Sequence, residues 1–105
     1  MSRGIEVVRD DIGAFAMEPG DLLAYLENLN RLPLHDLYVG YVSGEVAEGS
    51  PELFSHEQLT AIREFSRIVE ALPPEPDQFW ADDSLYGEDW RYVREQARIV
   101  LRTLI

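Results

Sequence analysis

The sequence predicts a single α+β domain over residues 1–105, a small, mostly antiparallel sheet packed with three helices. Two observations carry the prediction. Residues 37–42 form an aromatic and β-branched run with the composition of a strand, and three longer stretches repeat apolar residues at helical spacing. With 105 residues the chain suits one domain, able to bury about two-thirds of its unfolded surface.

Ile5-Glu6-Val7-Val8 reads as a first strand and residues 12–17 as its partner, with Asp10-Asp11 as the turn between them. Pro19-Gly20-Asp21 punctuates the chain. Asp21 is the expected N-cap of a helix over residues 21–32, with Leu22, Leu26 and Leu29 on its inner face and Pro33 ending it. The run Leu37-Tyr38-Val39-Gly40-Tyr41-Val42 carries apolar groups on both faces, which predicts a central strand across residues 38–42. Residues 45–51 are expected to form an acidic loop. Ser55 followed by Gln58 matches a capping box, opening a helix over residues 56–71 whose stripe is Leu59, Ile62, Phe65 and Val69. Pro73-Pro74-Glu75-Pro76 stops it. A last helix is expected over residues 88–104, with Trp90, Val93, Ala97, Val100, Leu101 and Leu104 on its inner face.

Charge narrows the classes of function. Twenty acids face nine basic residues, all arginine, for a net charge of −11. The chain therefore attracts basic partners and repels nucleic acid and anionic membrane. Arginine without lysine is read as codon supply in a GC-rich genome ahead of selection for bidentate contacts. The acids are unevenly spread. Residues 10–57 hold ten acids against Arg31 alone, residues 70–89 hold seven and no base, and residues 90–105 hold four arginines against Glu95. The chain has no cysteine, which excludes disulfides, thiolate metal sites and thiol catalysis. The N-terminal residues contain no apolar stretch of signal-peptide length and no run approaches a membrane span, so a soluble cytoplasmic protein is expected.

No motif marks catalysis or a cofactor. His35 and His56 fall in no ligand pattern, no serine is marked as activated, and neither a P-loop nor a dinucleotide fingerprint occurs. Asp77, Asp82, Asp83, Glu88 and Asp89 have the charge for a divalent cation, but not the alternating spacing of a calcium loop, and Gly87 is misplaced for one. The expectation is no metal, no cofactor and no enzymatic activity.

What is left is binding. Phe79-Trp80 and Leu85-Tyr86 are interleaved with those acids, a combination of anchoring ring and steering charge. Phe79 and Trp80 are also suited to folding inward and pinning the segment. On the last helix, Arg91, Arg94, Arg98 and Arg102 line one flank, where Glu88 and Glu95 would pair with them. Tyr92 and Ile99 fall roughly 150° from its apolar stripe, either in a second layer or on a contact surface. The candidate partner-binding set is therefore Asp77, Trp80, Asp82, Asp83, Tyr86, Glu88, Asp89, Tyr92 and Ile99. The expected function is a non-enzymatic acidic protein that neutralises or recruits a basic protein, such as an immunity protein or antitoxin, or an inhibitor occupying a nucleic-acid-binding groove. The alternative is a homo-oligomeric structural or regulatory subunit associating through the last helix.

Overall fold

The computed structural model describes residues 3–30 and 34–104, and among these every regular element is helical. The α+β expectation is overturned: no strand and no sheet is present among the described residues. Six α-helices follow in order, α1 (Arg3–Ala16), α2 (Pro19–Asn28), α3 (Asp36–Val39), α4 (Ser43–Gly49), α5 (His56–Glu70) and α6 (Glu88–Thr103). Short 3-10 turns occupy Pro51–Leu53, Gln78–Trp80 and Asp82–Tyr86.

The two expected N-terminal strands are one helix. Ile5, Val8, Ile12 and Phe15 step by three, four and three, which places them on one face of α1. Val8, Ile12 and Phe15 are fully buried, and Ile5 packs against the same core. Asp10 and Asp11 lie inside the helix rather than in a turn. The β-branched composition that suggested strands is outweighed by the apolar stripe it forms in a helix.

Residues 38–42 are likewise not a strand. Their backbone donors are used locally or by a side chain, which leaves no ladder to build. The amides of Leu37 to Tyr41 reach back to carbonyls of residues 34–38. The next two amides, Val42 and Ser43, both donate to Asp11 Oδ2 at 2.9 Å, and Ser43 Oγ donates to the same oxygen at 2.6 Å. A carboxylate from the middle of α1 thus takes up donors at the start of α4. No side chain of α4's own N-cap residue, Val42, does so.

Three expected helices are present with shifted ends. α2 begins earlier, with Pro19 in its first turn, Glu18 as N-cap residue and Asp21 within the first turn. Leu22 and Leu26 are buried as expected, but Leu29 is exposed at the C-cap. Asn30 follows with φ 55°, a left-handed conformation that asparagine tolerates at a helix end. The continuation to Leu32 and the stop at Pro33 lie outside the described residues, as does Arg31. The capping box of α5 forms as read, with Ser55 N–H on Gln58 Oε1 at 2.8 Å and Gln58 N–H on Ser55 Oγ at 3.1 Å. Gln58 also donates its Nε2 to the Thr103 carbonyl at 2.8 Å, joining the start of α5 to the end of α6.

α1, α5 and α6 form the central bundle, and α4 lies across α1 and α5. α6 runs antiparallel to α1, and arginines fix both ends of the pair. Arg9 on α1 donates Nε and Nη2 to the Leu104 carbonyl at 3.1 and 2.8 Å. At the other end, Arg98 Nε donates to the Ala16 carbonyl at 3.1 Å and Arg94 Nε to the Met17 carbonyl at 3.2 Å. Arg94, only 8% exposed, also donates Nη2 to the Leu85 carbonyl at 2.8 Å. Each helix therefore supplies donors to the carbonyl end of the other. The expected pairing of the arginine flank with Glu88 and Glu95 holds for Arg91, at 4.0 and 3.2 Å, while Arg94 and Arg98 turn towards α1.

The Asp11 contact is testable. Removing a cap costs about 0.5–2 kcal/mol, so Asp11→Ala should lower the unfolding free energy from chemical denaturation by that amount. Faster amide exchange should be confined first to residues 42–46.

Candidate partner-binding surface

Residues 71–87 close one end of the bundle. The two tryptophans hold this segment down: Trp80 Nε1 donates to the Pro73 carbonyl at 2.8 Å and Trp90 Nε1 to the Phe79 carbonyl at 2.9 Å. Phe79 stacks on Trp90 with ring centres 5.0 Å apart, and Trp80 meets Trp90 edge-on at 5.6 Å. Asp77 accepts the Phe79 N–H at 2.9 Å, which caps the first 3-10 turn.

This arrangement divides the sequence-derived candidates. Trp80 is 4% exposed and belongs to the core, and Asp77 has a local structural bond as well as an exposed side chain. Trp80 offers little surface to a partner: its N–H is bonded to the Pro73 carbonyl and its ring packs against His35, Tyr38, Phe79 and Trp90. Asp82, Asp83, Glu88 and Asp89 are exposed. The only ion pair they make among the described residues is the 4.0 Å approach of Glu88 to Arg91. Tyr86 stands out of the same segment at 72% exposure, while its neighbour Leu85 is buried beneath it. Glu88 and Asp89 occupy the first turn of α6, where the helix dipole favours negative charge.

Tyr92 and Ile99 lie on the outer side of α6, 54% and 47% exposed. Trp90, Val93, Ala97 and Val100 are buried on the other side, so no second layer covers this helix among the described residues.

One feature of the surface was not legible in the sequence. A shallow groove of about 780 Å³ runs between α3, α4 and α5, walled by Tyr38, Val39, Tyr41 and Val69 and rimmed by acids and arginines of α4 and α5. Val39 is 68% exposed at its edge. At its floor the Tyr41 hydroxyl and Ser66 Oγ are 2.8 Å apart. Gly44 allows α4 to approach here, since a Cβ would lie 3.0 Å from Ser66 Oγ. The groove joins residues 38–41, read from sequence as a strand, to a helix 25 residues on, and no local pattern announces that contact. Burial pushes the Tyr41 hydroxyl up to about 12, against the opposing effect of its bond to Ser66.

Two further polar side chains have structural partners. His35 Nε2 lies 2.8 Å from the Pro74 carbonyl, with its ring edge-on to Trp80. Ser84 Oγ donates to the Gln78 carbonyl. Among the described residues no cluster of three or more histidine and acidic side chains is placed to hold a metal ion, and no helix is long and apolar enough to cross a membrane. Comparison with protein-family models, curated proteins and solved structures finds no match to this chain.

Tyr41 provides a pH-dependent signature. Its folded pKa lies above the unfolded value of about 10, so its contribution to stability is complete below that pH and is lost as pH rises towards about 12. An alkaline absorbance titration should show a phenol that ionises late, and Tyr41→Phe should remove that late step.

Proposed function

We propose that this chain is a non-enzymatic acidic binding protein that neutralises or recruits a basic protein partner. Such a partner is a cationic toxin or a nucleic-acid enzyme whose binding groove the acidic surface occupies. The observation that carries the reading is Tyr86, an exposed ring on a segment held down by Leu85, Trp80 and Trp90, with exposed Asp82, Asp83, Glu88 and Asp89 close by in the chain.

Two physical effects support it. A segment already held in place loses little conformational entropy on binding, so more of the contact energy appears as affinity. The charge balance is also one-sided: twenty acids face nine arginines, for a net charge of −11. The field that a partner meets is therefore dominated by carboxylates, which favours fast association with cationic surfaces.

The test uses the product of a neighbouring gene, if basic, immobilised for kinetic measurement. Replacing Asp82, Asp83, Glu88 and Asp89 by their amides should slow association by ~10-fold or more at low salt and flatten its salt dependence. Tyr86→Ala should instead speed dissociation by about 30-fold, the equivalent of ~2 kcal/mol for a desolvated aromatic anchor. Binding indifferent to salt, to the four acids and to Tyr86 would refute the reading.

A further inference from the structure

The outer face of α6 is self-complementary, and we propose that it pairs antiparallel with the same face of a second copy of this chain. Tyr92 and Ile99 are seven residues apart, so they lie within about 20° of each other on the helix surface and roughly 10 Å apart along it. Both are exposed, and they are the large hydrophobic residues of α6 that the fold leaves uncovered. The midpoint between them falls between Glu95 and Gln96. A two-fold axis through that midpoint sets Tyr92 against Ile99 of the second copy and Ile99 against its Tyr92.

The charges select the antiparallel arrangement. Glu88 stands at the start of this outer face and Arg102 near its end, both exposed. They are placed almost symmetrically about the same midpoint, so antiparallel pairing brings Glu88 of each copy beside Arg102 of the other. Parallel pairing would set Glu88 against Glu88 and Arg102 against Arg102. One like-charge approach remains near the axis, Glu95 against its own copy, and Arg91 already neutralises each Glu95 at 3.2 Å within the helix. Helix dipoles also oppose favourably in this arrangement.

The net charge of −11 acts against any self-association. At physiological ionic strength, however, the Debye length is about 8 Å, which screens distant charges more than those at the contact. A single helix pair is a small interface, in the class below about 1,200 Å², so the expected dimer is weak and concentration-dependent.

Sedimentation of the purified full chain, at fixed physiological ionic strength and rising to ~1 mM, tests this without any basic partner. Failure here therefore leaves the basic-partner reading standing, and the converse holds. The parent chain should pass from monomer to dimer. Tyr92→Ser with Ile99→Ser should remain monomeric, with circular dichroism and denaturation midpoint close to those of the parent. E88R and R102E should each weaken the dimer by ~10-fold or more. Their equimolar mixture should form a heterodimer, because in the mixed pair both end contacts are again between opposite charges, and the chain carrying both reversals should dimerise like the parent. A parent chain monomeric throughout, or dimerisation that survives loss of Tyr92 and Ile99, would overturn the proposal. So would reversals that show no mutual rescue. If the double serine variant unfolds, the charge-reversal arms, which retain both residues, still decide the matter.

Discussion

Two antiparallel helices whose ends turn into the protein share one problem: their last carbonyls have no donor within their own helix. Here the solution is reciprocal. α6 sends Arg94 and Arg98 to the carbonyls at the end of α1, and α1 sends Arg9 to the carbonyl of Leu104. Arg94 does more than cap. Its second bond, to the Leu85 carbonyl, ties the segment after the proline connector to the same junction. Only a guanidinium has the donor geometry to serve two separated carbonyls from one planar group, so arginine here has a structural use beyond codon supply.

The exterior is dominated by carboxylates: most of the described acids are exposed and lie beyond salt-bridge reach of an arginine. Glu18 is a partial exception, since it lies 3.2 Å from Arg98 and 4.0 Å from Arg94. The same junction holds the acidic segment still. Leu85, Trp80 and Trp90 form its inner side, while Tyr86 and the carboxylates form its outer side. Core and surface are therefore separate jobs of neighbouring residues, with Trp80 inside and Tyr86 outside.

The legible parts of the fold were those with local signals. The α5 capping box spans three residues, and the stripe of α6 repeats over four turns, so both could be read without knowledge of the rest. α1 was open to misreading because Ile5, Val7 and Val8 have strand composition. Its three-four-three spacing was present in the sequence, yet a strand pair with a turn at Asp10-Asp11 explained the same residues. Residues 38–42 were harder. A short apolar run does not distinguish strand from buried turn, and the deciding partner, Asp11, lies 31 residues from Val42. Of the candidate surface, the position of the acids and the placement of Tyr92 and Ile99 opposite the apolar stripe followed from sequence and helical geometry, while the exposure of those two residues needed the fold, since a second layer was equally open. The arginine contacts with the end of α1 depended on packing across 77 to 82 residues, the burial of Trp80 on rings as far away as His35 and Tyr38, and the groove at Tyr41 needed the tertiary fold.

The claim on which the rest depends is that the fork of Arg94 fastens α6 to α1 and to Leu85. Arg94→Lys preserves the positive charge and much of the aliphatic stem, but cannot reach both carbonyls with the same planar geometry. Its equilibrium urea unfolding is the most direct measurement. A buried carbonyl left without its donor costs about 1–3 kcal/mol, so the variant should be destabilised by roughly 2 kcal/mol, with faster amide exchange at residues 85–87. A loss below about 0.5 kcal/mol, the range of an ordinary surface substitution, would contradict the account.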